Sequence, residues 1–189
     1  MTIKTLIATL VAATALGGLA QAESHAGTDN PMVGGAAMFP DQTIVENAVN
    51  SADHTTLVAA VKAAGLVDTL NSAGPFTVFA PTNAAFDRIS DDSLNALLQP
   101  EAKAQLTQIL TCHVVAANAM SDAIAGMIMD DGGMHSVETV GGCTLQARMD
   151  GSEITLTDEN GREATVTIAD VRQSNGVIHV IDRVLLPAQ

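Results

Sequence analysis

The chain has 189 residues, with 8 lysines and arginines against 21 aspartates and glutamates and a formal net charge of −13. That balance excludes nucleic acid and anionic lipid as partners held by charge, because both need lysine and arginine to neutralise phosphate; it suits an exported protein kept soluble by its own surface. With neither Trp nor Tyr, the chain lacks the flat aromatic platforms on which sugars stack, leaving polysaccharide contact only through hydrogen bonds.

Residues 1–22 read as a signal peptide. Lys4 gives a weakly positive start, Leu6 to Leu19 is apolar, and Ala20-Gln21-Ala22 has the small-x-small form of a cleavage site. The expected product is exported, periplasmic or secreted. The apolar run is short of the roughly 20 residues that span a bilayer, and no later segment is apolar enough, so no membrane span is expected in the mature chain. Residues 23–40 carry Gly27, Pro31, Gly34, Gly35 and Pro40 without periodicity and read as a flexible linker. An ordered domain is expected over residues 41–187, a length that suits one core.

The first half of that domain has helical spacing. Ile44, Val45, Ala48 and Val49 share a face, and Asp53 is placed to cap a helix with Leu57, Val58 and Val61 inward and Gly65 as its stop. After the Gly74-Pro75 break, Phe76 to Phe79 reads as a strand. Thr82 or Asn83 starts the next helix, Ser90 caps another, and Pro100 opens a third with Leu106, Ile109 and Leu110 inward.

After Cys112 the spacing alternates. Strands are expected at 113–115, 136–140, 144–149, 153–157, 164–168, 177–181 and 184–186. Asp150-Gly151, Asn160-Gly161 and Asn175-Gly176 stand where tight turns belong, because glycine adopts positive φ at little cost. Helices first and strands second argue for an α+β fold with antiparallel sheet.

Cys112 and Cys143 are an even pair in an oxidising compartment, which favours a disulfide over a catalytic thiol or a metal pair. Such a bridge would contribute about 3–4 kcal/mol by the chain-entropy estimate.

Two segments are more specific. They are Gly74-Pro75-Phe76-Thr77-Val78-Phe79-Ala80-Pro81-Thr82-Asn83-Ala84-Ala85-Phe86 and Ser174-Asn175-Gly176-Val177-Ile178-His179-Val180-Ile181-Asp182-Arg183-Val184-Leu185-Leu186-Pro187. Together, in order and spacing, they resemble the two signatures of the fasciclin-like domain family, over residues 41–187. The resemblance implies a seven-stranded β-sandwich or wedge with a helical layer, in an extracytoplasmic module of adhesion and protein interaction. The candidate interaction residues are Pro81, Thr82, Asn83, His113, Asn175, His179 and Asp182. Turn-holding is the preferred role for Asn83, Asn175 and Asp182. Members usually carry a Tyr-His pair between the signatures, and here it is Cys112-His113. The missing tyrosine places a tyrosine-dependent receptor site in doubt, and a Cys112–Cys143 bridge would take over its packing.

No enzyme is expected. There is no G-x-S-x-G elbow, no phosphate loop and no H-E-x-x-H, and Asp91-Asp92 and Asp130-Asp131 are adjacent pairs that do not face each other across a site. No cofactor is expected. Met127, Met129, Met134 and His135 combine thioethers with an imidazole, a donor set that suits copper. They give the alternative of a periplasmic small-ligand or copper-binding carrier or sensor. The first reading is a non-enzymatic module whose partner is a protein or an extracellular matrix or polysaccharide component.

Overall fold

The structure, a computed structural model, describes residues 30–188. The expected signal peptide lies outside the described residues, as do residues 23–29 of the expected linker. Order begins earlier than Asp41. Strands β1 (Met32–Val33) and β2 (Ala36–Ala37) pair as a small hairpin, and Val33 and Met38 are buried in the core. The glycines and prolines of this stretch shape a turn that docks rather than a free linker: the Ala52 N–H donates to the Gly34 carbonyl at 3.1 Å.

The helices form as the spacing predicts, with three differences. Helix α1 (Ile44–Ala48) starts in a capping box, in which Thr43 and Glu46 satisfy each other's backbone N–H groups. It stops before Val49, which is half exposed rather than inward. Helix α2 (Thr55–Ala64) follows a 3-10 turn at Ala52–His54 and ends at Gly65, whose φ of 74° is the left-handed stop that glycine supplies. Its first turn is not capped by Asp53. Helices α3 (Val67–Leu70), α4 (Asn83–Phe86, capped by Thr82), α5 (Asp91–Leu97, capped by Ser90) and α6 (Lys103–Thr111, after a 3-10 turn at Pro100–Ala102) complete the layer. The third difference is a seventh helix, α7 (Ser121–Asp130), in a region read as strands and turns. There Ile124 and Ile128 stand four residues apart on one buried face.

The main sheet has seven strands. In chain order they are β3 (Phe76–Pro81), β4 (Val114–Val115), β5 (His135–Glu138), β6 (Thr144–Asp150), β7 (Glu153–Thr157), β8 (Glu163–Gln173) and β9 (Gly176–Ile181). In space they run β4-β3-β9-β8-β7-β6-β5. The two signature segments therefore lie side by side, Phe76 opposite Gly176 through Pro81 opposite Ile181. This pair is parallel, where an all-antiparallel system was expected; the other strand pairs of this sheet are antiparallel. Gly176 is fixed by close approach: a Cβ there would stand 2.0 Å from the Phe76 carbonyl oxygen.

Residues 184–186 form no strand. Their N–H groups go to side chains instead, Leu185 to His113 and Leu186 to Asp158, while Val184 and Leu185 pack inward. Strand β8 belongs to both halves of the sheet. Its register shifts twice between Val166 and Val171, and Asp170 adopts a φ of 61° there. This bend folds the sheet into a near-barrel wedge with two cores. One lies between α1–α6 and the β4-β3-β9-β8 half. The other, around Phe79, Ile128, Leu156 and Ile181, is closed by α7.

Candidate functional site

Pro81, His113, Asn175 and His179 are buried, and Thr82, Asn83 and Asp182 are half buried. Their polar atoms hold backbone. Asn83 accepts from the Thr56 N–H at 3.0 Å and donates to the Ala52 carbonyl at 2.9 Å, so it performs at α2 the capping expected of Asp53. Asn175 accepts from the Ile44 N–H at 3.0 Å and donates to the carbonyls of Leu70 and Ser72 at 2.7 and 3.0 Å, tying α1 and α3 to the start of β9. Asp182 accepts from the Thr165 N–H at 2.7 Å and pairs with Arg88 at 3.3 Å. The signature residues thus build the scaffold and offer little free surface.

His113, between the signatures, and His179, within the second, are both held by hydrogen bonds at each ring nitrogen. The His113 ring reaches the Ile109 carbonyl through Nδ1 at 2.8 Å and accepts the Leu185 N–H at Nε2. Burial pushes its pKa down to about 4. The His179 Nε2 reaches the Ala119 carbonyl at 2.8 Å, its Nδ1 accepts the Asp170 N–H, and its ring stacks on Phe79 with centroids 5.7 Å apart. Burial lowers its pKa as well. Cys112 and Cys143 form the expected disulfide, with Cα atoms 5.3 Å apart. It pins the end of α6 to the turn between β5 and β6.

Ser121, Asp170 and His179 meet, but not as a catalytic triad. Asp170 holds both the hydroxyl and the N–H of Ser121 at the start of α7, and the histidine makes no contact with the serine oxygen. A triad needs the imidazole on the nucleophile. Asp158 is another node that sequence reasoning missed. Its carboxylate accepts the N–H groups of Asn160, Arg162 and Leu186. The Asp158-x-Asn160-Gly161 pattern was the available signal; Asp170 had none, since a non-glycine positive φ leaves no mark in sequence.

The proposed copper donors have separate surroundings. Met127 packs against the second core, whereas Met129, two residues on along α7, is 71% exposed. The Met134 sulfur lies against Arg148, and His135 pairs with Asp131 at 2.6 Å.

Two concavities remain. An apolar cavity of about 60 Å³ lies between α1, α2 and the sheet, with His54 and His113 on its wall. An open groove of about 630 Å³ runs between α5, α6 and the segment Leu186–Ala188.

A helical layer on a bent seven-stranded sheet, with polar signature residues turned inward to hold it, defines an α+β scaffold. Residues 52–187 match the Fasciclin domain, and the chain belongs to that family. It is 41% identical over 187 residues to protein sll1483 of Synechocystis sp., covering 95% of this chain and 97% of that one. It is 38% identical over 133 residues to the transforming growth factor-beta-induced protein ig-h3 of Oryctolagus cuniculus, covering 70% of this chain and 17% of that protein. In fold it resembles the FAS1 domain pair of the insect cell adhesion molecule Fasciclin I, with a TM-score of 0.69 and 19% identity over 78% of this chain and 51% of that one.

Proposed function

We propose that the chain is an exported recognition module that binds a protein or matrix partner and turns over no substrate. One observation carries the reading: the histidines whose protonation is shifted by burial are kept apart from the space a ligand can enter. His54, His113 and His179 are all lowered by burial. Of these, His54 and His113 face a cavity of about 60 Å³, well below the 300–1,000 Å³ or so of ligand sites. The groove of about 630 Å³ is lined by none of them. Shifted groups in a cleft are the mark of catalysis, and here cleft and shifted groups are separate. Kinship with a domain of a cell adhesion molecule supports the same reading.

The test is direct. The mature chain, immobilised, is offered the native envelope fraction, and bound components are crosslinked and identified by mass spectrometry. Saturable capture of one component is expected, together with loss of residues 1–22 from the exported protein. Absence of saturable capture, or retention of Met1 to Ala22 in the extracytoplasmic form, would defeat it.

A further inference from the structure

The groove between α5, α6 and the Leu186–Ala188 segment is the part of this surface built to receive something. Its lining includes Arg88 and Arg162 and no acidic residue, in a chain where acidic residues outnumber basic ones 21 to 8. The Arg88 guanidinium is anchored by Asp182 at 3.3 Å with its side chain 48% exposed. The Arg162 guanidinium has no hydrogen-bond or ion-pair partner among the described residues.

The floor is apolar and only partly covered. Helix α5 buries none of its residues, although Leu94 and Leu97 are on it and Ile109 of α6 lies beneath the groove. The carboxamides of Gln105 and Gln108 line the same wall and make no hydrogen bonds to the described residues, so they can pair with an extended backbone. The opposite wall is fixed. Asn160 donates to the carbonyls of Leu186 and Pro187 at 3.1 and 2.9 Å, and the Ala188 N–H donates to Glu159 at 2.7 Å. A rigid wall, a half-buried apolar strip, free amides, the unpartnered Arg162 guanidinium and the half-exposed Arg88 match one kind of occupant.

We propose that this groove docks an extended peptide segment of a partner protein that alternates apolar and acidic side chains. The apolar side chains lie on the half-buried Leu97 and Leu186, the carboxylates meet Arg162 and Arg88, and the peptide backbone meets Gln105 and Gln108. Guanidinium is the group that holds carboxylate in a forked geometry. This rests on the recognition-module reading and names its surface.

The whole chain is labelled with ¹⁵N and titrated with a capped peptide of alternating leucine and aspartate, and with the same peptide carrying lysine for aspartate. Amide shifts confined to α5, α6 and residues 186–188 are expected for the acidic peptide. Arg162→Glu should weaken it by roughly tenfold and favour the lysine peptide, as charge reversal at a rim does. Arg162→Gln should fall between. The side chain of Arg162 has no partner to lose, so all three proteins should melt alike. Scattered shifts, equal binding of the two peptides, or an unchanged Arg162→Glu protein overturns the proposal. The envelope capture is run in parallel. If Arg162→Glu captures the same component as fully as the native chain, the groove is wrong and the module reading stands. If neither captures anything, both fall.

Discussion

The main-chain N–H of Leu185 donates to Nε2 of His113 at 2.9 Å, across 72 residues of sequence. Because Nε2 accepts, the ring's proton sits on Nδ1 and is donated to Ile109. A second proton would have to displace the Leu185 bond.

Stability should therefore fall in mild acid. The folded pKa of His113 is about 4, below the ordinary value of about 6.5 that the unfolded chain would show. Between those values the unfolded chain binds more protons, so stability is fully present above about pH 6.5 and is lost as pH falls toward about 4. His54 and His179 shift in the same direction and add to the loss. For His113 alone the effect is on the order of 3 kcal/mol. Urea midpoints from pH 7.5 to 4 check this, with proton NMR of the His113 ring; a ring titrating near 6.5 would contradict it.

Phe79 is 1% exposed and stacked on His179 at the junction of the two signature strands. Phe79→Ala should cost about 3–5 kcal/mol. Phe79→Leu, which refills most of the volume, should cost about 1.5 kcal/mol or less. Chemical denaturation of both variants measures the difference.

Removing the Cys112–Cys143 bridge should lower stability by about 3–4 kcal/mol, mainly by freeing the unfolded chain, on a model-dependent estimate. The exported protein should contain no free thiols. Thiol titration in denaturant, and the urea midpoint of a Cys112→Ala/Cys143→Ala variant, check both statements.

Asn175→Ala should cost about 1–3 kcal/mol, because the Ile44 N–H and the carbonyls of Leu70 and Ser72 lose their partner in a buried place. Asn83→Ala, half buried and at a helix start, should cost about 1 kcal/mol. Asn175→Asp should behave like the alanine variant or worse, since a carboxylate cannot donate to the two carbonyls.

The α+β class, most helices and the disulfide were legible because they follow from spacing, caps and cysteine count. The parallel pairing of the two signature segments was not legible, because nothing in alternation alone distinguishes a parallel pair from an antiparallel one. Helix α7 was hidden by its glycine and methionines, Gly126, Met127 and Met129, which blur its apolar stripe. The Met32–Ala37 hairpin was hidden because its glycines look the same in a free linker and in a docked turn. Turn-holding by Asn83, Asn175 and Asp182 was legible from residue type, but the backbone groups each one holds were not. A polar residue fixed by three backbone groups and one awaiting a ligand have the same letter. The groove escaped notice because Arg88, Gln105, Arg162 and Leu186 come together only after folding.

Strand β8 serves both halves of the sheet, bent at Asp170. Loss of β8 would remove a hydrogen-bonded neighbour from each half, β9 in one and β7 in the other. A fluorophore beside α7 and another beside α2 should thus report the same unfolding midpoint. Any tension applied by a bound partner would be shared along this one shaft instead of peeling away a single layer.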